Sequence, residues 1–198
     1  MKLPPSYYLN PDVEFLAKDL LGKILFTRKD NDITAGIIVE TEAYFGTEDQ
    51  ASHAYGGRRT ARTEILYSEG GTVYVYLCYG IHYLLNVVTS VKDDPKCILI
   101  RSIEPCEGLE IMEMRRKMQA DHQAISSGPG SMAKSLGIDS SFNKNVLTGE
   151  RIWIEDREII YNTSQIGIAS RIGIAYAQEH ANLPLRFFVK DSKYVKYR

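Results

Sequence analysis

The sequence predicts an α+β fold in which a mostly antiparallel β-sheet, with a projecting β-hairpin, is flanked by helices. Three observations favour this fold class. The segment Ile33–Tyr44 is rich in β-branched residues and has no helix breaker after Gly36. Two further β-rich runs, Thr72–Cys78 and Tyr83–Val91, are separated by four residues, which is short enough for a hairpin turn. Apolar residues at helical spacing occur both before and after these strands.

Helices are predicted at three places. The first begins at Asn10-Pro11, because asparagine is favoured at the N-cap and proline at the first helical position, and it stops before Gly22. The second covers Pro105–Gln119, where leucine and methionine recur at helical spacing. The third is shorter and is opened by Ser127-Gly-Pro-Gly130.

The remaining strands are less regular in their signals. Cys97–Ile103 alternates as a strand does, and Arg151–Ile154 with Glu158–Tyr161 predicts a second hairpin. Phe45–Gly71 is a long connection with weak periodicity, and loops of this length are often functional. The segment Arg171–Val189 has mixed signals and receives no definite element.

Composition limits the class of protein. The chain has 198 residues, 44% of them hydrophobic, and no apolar run near the roughly 18 residues that a membrane helix needs. This predicts one soluble globular domain, with two lobes as the alternative. The N-terminal segment shows no secretory signal, and three cysteines without framework spacing favour buried thiols in a reducing cytoplasm. We expect a cytoplasmic protein.

The net charge of −1 argues against a protein that coats nucleic acid through bulk charge. A local basic patch is still present, because His53, Arg58, Arg59 and Arg62 occur in the Ala51–Arg62 segment with no acidic residue among them. The pattern is consistent with a patch that contacts phosphates, and it is equally consistent with an ordinary solvated loop that contains three arginines.

A strand in Ile33–Tyr44 projects Glu40, Glu42 and Tyr44 from one face. Glu42 is the candidate general base, because it lies nearer Tyr44 and the arginine-bearing loop, while Glu40 is expected at the sheet surface without a role. Arg101 lies in a strongly apolar strand and needs a buried partner, for which a carboxylate is the natural choice. The sequence therefore predicts a Glu42–Arg101 pair.

Aromatic residues crowd the same part of the chain. Tyr74 and Tyr76 can hold a flat ring, His53 can orient it, and Tyr79 at the hairpin tip can replace a base taken out of a duplex. Each of these residues could also be ordinary packing. Asn86 either bonds backbone or faces a ligand. Taken together with a carboxylate, they predict chemistry on a nucleobase.

No metal or cofactor is predicted. The four histidines lack metal-ligand spacing, and the sequence has no zinc-deaminase pattern, Walker A loop or dinucleotide fingerprint. Gly128-Pro-Gly130 could offer backbone amides to a phosphate, although helix capping explains it as well.

Short runs in order over nearly the whole chain resemble a known family. They are Leu16–Lys23, Ile38–Tyr44, Ala51–Ala54, Tyr74–Gly80, Asn86–Val88, Leu99–Arg101, Ile103–Pro105, Gly128–Gly130, Arg171–Ile174 and Leu185–Phe187. This pattern resembles the alkyladenine (3-methyladenine) DNA glycosylase family in its compact bacterial form. The Glu-Thr-Glu-Ala-Tyr and Tyr-x-x-Tyr-Gly elements are its most specific parts.

The resemblance implies an enzyme that flips a damaged nucleotide out of duplex DNA and cleaves its N-glycosidic bond with water, without metal or cofactor. Glu42 would be the general base, and Arg101 would help to hold the water. The other implied roles belong to Tyr44, His53 and Tyr76, which hold the flipped base, to Tyr79, which is the intercalating wedge, and to Asn86, which crowds the exocyclic amine of normal guanine.

The resemblance also implies a single domain over residues 1–198 with a curved sheet or open-barrel core. We expect a monomer that binds double-stranded DNA containing damaged purines, with Arg58, Arg59 and Arg62 on phosphates. The sequence departs from the family pattern at Gly46–Asp49 and Thr60–Thr63. No lysine matches a Schiff-base nucleophile, which predicts a monofunctional glycosylase.

Two other function classes remain open at the level of sequence. A sugar-directed glycoside hydrolase could pair Glu42 with Glu40 or Asp49, although same-strand neighbours seldom reach the required separation. A catalytically silent nucleic-acid binding module would use the tyrosines and arginines and would be indifferent to Glu42.

Overall fold

A computed structural model describes residues 1–196. The strands are β1 (Ile24–Lys29), β2 (Asp32–Tyr44), β3 (Val73–Cys78), β4 (His82–Thr89), β5 (Lys96–Glu107), β6 (Ile152–Glu155), β7 (Ile166–Ala169) and β8 (Arg186–Val189). The α-helices are α1 (Pro5–Tyr8), α2 (Val13–Asp19), α3 (Leu109–Arg116) and α4 (Pro129–Ser135). Short 3₁₀ segments cover Gly46–Glu48, Tyr55–Gly57, Glu64–Tyr67, Gln123–Ile125, Ser140–Phe142 and Ala175–Asn182.

All strands belong to one antiparallel sheet that curls into a half-barrel. Its main path runs β3-β4-β5-β2-β1-β6, and β8 adds to β2 while β7 adds to β8. β2 is therefore the central strand, since it pairs with β1, β5 and β8. The predicted α+β class with a curved, mostly antiparallel sheet is confirmed.

The register of β2 against β5 shifts on both sides of Glu40, which marks a β-bulge. Glu42 lies opposite Leu99 of β5 and also opposite Arg186 of β8. The bulge and the double pairing place this end of β2 between two strands. Side chains that the sequence pattern alone would leave at a sheet surface are covered here.

The main core lies between the sheet and the helices, and fully buried side chains such as Leu16, Ile38, Ile100 and Phe187 contribute to it. Each such side chain stabilises the fold by about 1.5–3 kcal/mol relative to an exposed one. A second apolar cluster, which includes Ala54, Leu66, Tyr67, Tyr74 and Cys97, lies against Tyr44 and Tyr76. This second cluster supports the tyrosines described below.

The predicted first helix is present, but its N-cap is Asp12 rather than Asn10. The Asp12 carboxylate accepts a hydrogen bond from the Phe15 amide at 2.9 Å, and α2 begins at Val13. The Asn10 side chain accepts instead from the Asp12 amide, so it caps the turn that precedes the helix.

Strand pairing overrides local preference at two predicted elements: the helix predicted over Pro105–Gln119 is present but starts later, and the second hairpin is wrong. Pro105 lies opposite Gly36 in the sheet, so β5 runs on to Glu107 and α3 starts only at Leu109. The second hairpin does not form, because β6 pairs with β1, and Glu158–Tyr161 adopts no strand.

The predicted β3–β4 hairpin is confirmed, with Tyr79 at its tip. The Cys78 carbonyl accepts a hydrogen bond from the Ile81 amide at 3.1 Å, and both Tyr79 and Gly80 have positive φ. Positive φ is uncommon for a tyrosine, which has a Cβ that crowds the backbone there. The side chain of Tyr79 is 89% exposed.

The long connection after β2 contains three short 3₁₀ segments and no regular strand or helix. The three cysteines are free thiols as expected, but only Cys97 is buried, while Cys78 is half-buried and Cys106 is exposed. Within residues 1–196, no helix is long and apolar enough to span a bilayer.

Candidate active site

A cavity of about 560 Å³ opens beside the β3–β4 hairpin. Its walls come from the end of β2, the 51–53 turn, strands β3 to β5, the 127–131 segment and the 172–176 loop. Cavities that bind small organic molecules measure about 300–1,000 Å³, so a purine fits this one. Among the residues that the structure describes, no acidic side chain lines the cavity.

Glu42 lies directly behind the cavity wall, with a fully buried side chain. One carboxylate oxygen, Oε1, forms an ion pair with Arg101 Nη1 at 3.0 Å and accepts a hydrogen bond from the Ile172 amide at 2.8 Å, and Oε2 accepts a hydrogen bond from the Tyr44 hydroxyl at 2.8 Å. All three partner residues line the cavity. A carboxylate has about four lone-pair positions, so two hydrogen bonds leave acceptor capacity for a water. The predicted Glu42–Arg101 pair is confirmed.

The expectation that Glu40 lies at the sheet surface is wrong, because its side chain is buried and bound by two arginines. Its Oε1 accepts from Arg101 Nε at 3.1 Å and from Arg186 Nη1 at 2.9 Å, while Oε2 accepts from the Ser102 hydroxyl at 2.8 Å. The physical reason is β8, which pairs with β2 at the bulge and covers this carboxylate. Arg101 therefore bridges Glu40 and Glu42.

Burial raises the pKa of the Glu42 carboxyl, and Glu40 raises it further. The Arg101 guanidinium, the Ile172 amide and the Tyr44 hydroxyl act in the opposite direction, because each stabilises the carboxylate. Burial also raises the pKa of Tyr44, as does the neighbouring Glu42, so Tyr44 remains a hydrogen-bond donor. Glu42 is thus held in place by two hydrogen bonds and one ion pair in a buried site.

Aromatic rings form one side of the cavity. The rings of Tyr74 and Tyr76 stack with centroids 5.3 Å apart, and His53 meets Tyr76 edge-on at 4.7 Å. The Nδ1 atom of His53 lies 3.0 Å from the Tyr74 hydroxyl oxygen. Burial lowers the pKa of His53 to about 4, and the cations Arg62 and Arg58 add to this effect. His53 is therefore neutral at pH 7 and can exchange hydrogen bonds with a base.

Asn86 and Tyr79 occupy opposite positions on the cavity. Asn86 is buried and lines the wall, and its Nδ2 donates to the Tyr74 carbonyl at 3.3 Å. The backbone bond that the sequence allowed is thus present, and contact between Asn86 and a ligand stays a prediction. Tyr79 lies at the exposed rim of the same cavity.

The three loop arginines differ in what they contact. Arg59 binds Glu64 through two hydrogen bonds and Asp93 through one, at 2.7–2.8 Å. Arg62 lies over the Tyr76 ring, with its Cζ 5.1 Å from the ring centroid, and Arg58 has no ion pair with any residue in 1–196. Contacts from these arginines to phosphate remain a prediction.

The sequence did not predict the ion pair between Asp49 and Arg171, and it gave no role to Ile172. Arg171 forms a bidentate, fully buried ion pair with Asp49, and the Ile172 amide binds Glu42. The Arg171–Ile174 run belonged to the family resemblance, so it carried a signal. The partner could not be read from the sequence, because 122 residues separate Asp49 from Arg171.

Residues 1–196 contain no group of three or more histidine, cysteine, aspartate or glutamate side chains placed to hold a metal ion. The expectation of a reaction without metal or cofactor stays a prediction.

The fold and the site together define a class. A curled antiparallel sheet carries a cavity of purine size, with aromatic walls and a buried carboxylate–guanidinium pair behind them. These are the parts of a DNA glycosylase, a hydrolase that cleaves N-glycosyl bonds.

Comparison with known proteins identifies the family. The sequence model of the methylpurine-DNA glycosylase (MPG) family matches residues 7–193, and the chain belongs to this family. A relative from Chlamydia abortus is 45% identical over 94% of this chain and 97% of its own length. Relatives from Clostridium perfringens strain 13 (45% identical, 98% of both chains) and Desulfitobacterium hafniense (39%, 100% of both) are similar throughout. All three carry the name "Putative 3-methyladenine DNA glycosylase".

Proposed function

We propose that this protein is a monofunctional base-excision glycosylase that takes alkylated purines of the 3-methyladenine type out of duplex DNA and hydrolyses their N-glycosidic bond. The proposal rests chiefly on one observation: the Glu42–Arg101 pair lies directly behind the wall of a cavity that fits a purine. The names of the relatives agree with this substrate class.

The proposed step is the attack of a water oxygen on the C1′ atom of the sugar. The Glu42 carboxylate accepts a proton from the water as the new bond forms, and the electron pair of the breaking C1′–N bond leaves with the purine. The anionic carboxylate also stabilises the positive charge that develops on the sugar. The raised pKa makes the Glu42 carboxylate a stronger base, while the Arg101 guanidinium favours its ionised form.

The water needs a path to Glu42, because the Glu42 side chain is fully covered. Tyr44, Arg101 and Ile172 both bind Glu42 and line the cavity, so a small shift of any of them opens the remaining lone-pair position. Catalytic contacts commonly reach their final geometry only in the complex with substrate.

Selection of the base would come from the aromatic walls. Tyr44, His53 and Tyr76 would hold the flipped base, and a cationic alkylated purine stacks on tyrosine more favourably than a neutral one by about 1 kcal/mol. Asn86, at the inner wall, would crowd the exocyclic amine of normal guanine.

Opening of the duplex would fall to the hairpin tip. Tyr79 would fill the stack that the flipped nucleotide leaves, since its exposed ring stands at the cavity rim. Arg58, Arg59 and Arg62 would contact phosphates of the double-stranded DNA, which the protein would bind as a monomer. Arg59 would first have to exchange its ion pairs with Glu64 and Asp93.

Neither alternative class gains support from the site. A glycoside hydrolase needs two carboxyl groups in one cleft, but Glu40 is bound to Arg101, Arg186 and Ser102, and the cavity wall contains no acid among residues 1–196. A silent binding module would have no use for a fully buried carboxylate held by two hydrogen bonds and an ion pair. The described part of the wall also contains no lysine that could form a Schiff base.

The proposal is tested by incubating the protein with alkylated duplex DNA and measuring the free bases by mass spectrometry. Release of free 3-methyladenine, with a DNA backbone that breaks only on treatment with alkali, is the expected result. No base release would overturn the proposal, and strand cleavage without alkali would overturn monofunctionality.

A further inference from the structure

Asp49 and Arg171 form a buried ion pair behind Tyr44. Arg171 donates from Nη1 and Nη2 to the two carboxylate oxygens of Asp49 at 2.5 and 2.9 Å, and both side chains are fully buried. The Asp49 carboxylate also accepts from the Phe45 and Ala51 amides at 3.3 and 3.0 Å. Asp49 is thus held by its own loop as well as by Arg171.

The Arg171 guanidinium covers one face of Tyr44, with its Cζ 4.6 Å from the ring centroid. Tyr44 lines the cavity, whereas Arg171 does not line it and has no exposed side-chain surface. The face that Arg171 covers is therefore the one turned away from the cavity. A base stacked on the open face of Tyr44 would have a permanent positive charge on the other side of the ring.

We propose that Asp49 is a specificity-determining residue, which cancels the charge of Arg171 and so allows Tyr44 to stack on a cationic purine. The inference rests on the proposed function, because it takes Tyr44 as a wall for the flipped base. Arg171 is also held by hydrogen bonds that it donates to the Ala43 and His180 carbonyls at 2.9 and 3.3 Å, and Asp49 offsets the electrostatic cost of its charge to a cationic base.

The size of the effect follows from the distance. A base stacked about 3.5 Å from the Tyr44 ring would lie roughly 8 Å from the Arg171 charge. For unit charges at this distance and an effective dielectric constant of about 20, the repulsion would weaken stacking of the cationic base roughly thirtyfold. Water in the cavity screens the repulsion further and reduces this factor to about tenfold. A neutral purine would not feel this repulsion.

The test compares base release from two duplexes, one with the cationic purine 7-methylguanine and one with the neutral purine hypoxanthine. The measured ratio is the single-turnover release rate of 7-methylguanine divided by that of hypoxanthine. It is determined for the wild type, Asp49→Asn, Arg171→Gln and the double variant. Where release of hypoxanthine is too slow to measure, the hypoxanthine duplex is added as a competitor. Its inhibition of 7-methylguanine release then replaces its release rate. Circular dichroism checks that each variant is folded.

Asp49→Asn leaves the Arg171 charge unbalanced, so the ratio should fall about tenfold in disfavour of the cationic base. The double variant removes both charges and keeps two amides that can bond to each other, so its ratio should return to within about threefold of the wild type. An unchanged ratio in Asp49→Asn, or a ratio that stays low in the double variant, would show a merely structural role and overturn the proposal.

If Asp49→Asn does not fold, Arg171→Gln and the double variant carry the test. In Arg171→Gln the negative charge of Asp49 is unbalanced, so the ratio of 7-methylguanine to hypoxanthine release should be at least about threefold higher than in the double variant. Equal ratios in these two variants would overturn the proposal. A wild type that releases neither base would instead contradict the proposed function, so the two failures are distinguishable.

Discussion

Two parts of the cavity wall are built in opposite ways. Behind the inner wall, Glu42 and Glu40 are buried and share Arg101, and their contacts come from β2 itself and from neighbouring strands and loops. At the rim, Tyr79 stands 89% exposed on a two-strand hairpin, with positive φ. The first region depends on many partners, whereas the second depends on one side chain.

Under the proposed function, with Glu42 as general base and Tyr79 as wedge, the difference indicates how the protein divides its work. A general base must stay aligned to within a fraction of an ångström, which a network of buried charges achieves. A wedge must reach into DNA and can be altered without loss of the core, which an exposed turn allows. Substitutions in the inner region should therefore affect chemistry and stability, and substitutions at the tip should affect chemistry on duplex DNA alone.

The largest expected effect is that of Glu42→Gln. The amide keeps the shape of the side chain but cannot accept a proton, so base release should fall by about 10²–10⁴-fold. Binding to a duplex, measured by fluorescence anisotropy, should be preserved. Glu110→Gln, at an exposed position of α3, is the matched control. Release within tenfold of the wild type would remove Glu42 from the mechanism.

Glu40→Gln should test the stability of the same network. The substitution leaves Arg101 and Arg186 short of one negative charge in the buried interior, and this should lower the free energy of unfolding by about 3 kcal/mol. Urea denaturation measures the change, with Glu110→Gln again as the control. A change below about 1 kcal/mol would mean that the network does not stabilise the inner wall.

Tyr79→Gly should separate the two regions most clearly. Glycine accepts positive φ at no cost, so stability should stay the same or rise by up to about 1 kcal/mol. Loss of the ring forfeits about 1–3 kcal/mol of stacking in the opened duplex, so base release should fall by roughly tenfold to a hundredfold. Tyr79→Phe keeps the ring and should remain near the wild type.

Single-stranded alkylated DNA is the second substrate in that experiment. It needs no wedge, so Tyr79→Gly and the wild type should release bases from it at similar rates. Equal losses on single and double strands would show that Tyr79 acts on the base itself rather than on the opening of the duplex.

The same contrast explains what could be predicted from sequence. The hairpin with Tyr79 at its tip follows from two adjacent β-rich runs, and the Glu42–Arg101 pair follows from one arginine in an apolar strand that needs a carboxylate. The pair joins two strands and follows from the need of a buried arginine for a carboxylate, whereas the hairpin is decided by local pattern. Fold class follows for the same reason, because most strands and helices are clear in the local sequence.

The errors arise where distant segments decide the outcome. Glu40 is covered by β8, which lies about 150 residues later in the chain. Asp49 finds its partner in Arg171, and Pro105 is drawn into β5 by pairing with β2. Strand pairing and buried ion pairs of this kind depend on topology, which periodicity and residue preference do not contain.

The smallest expected effect concerns His53, whose pKa is lowered to about 4 by burial and by the nearby arginines. An unfolded histidine titrates near pH 6.5, so between about pH 6.5 and 4 the unfolded state binds more protons than the folded state. This contribution to stability is complete above about pH 6.5 and is lost as the pH falls toward 4, for a total of about 1–2 kcal/mol after allowance for partial exposure. His53→Gln should flatten that part of the curve of unfolding free energy against pH, while His122→Gln, at an exposed histidine outside the cavity wall, should leave it in place. Identical curves for the wild type and His53→Gln would show that His53 is not held neutral by the aromatic wall.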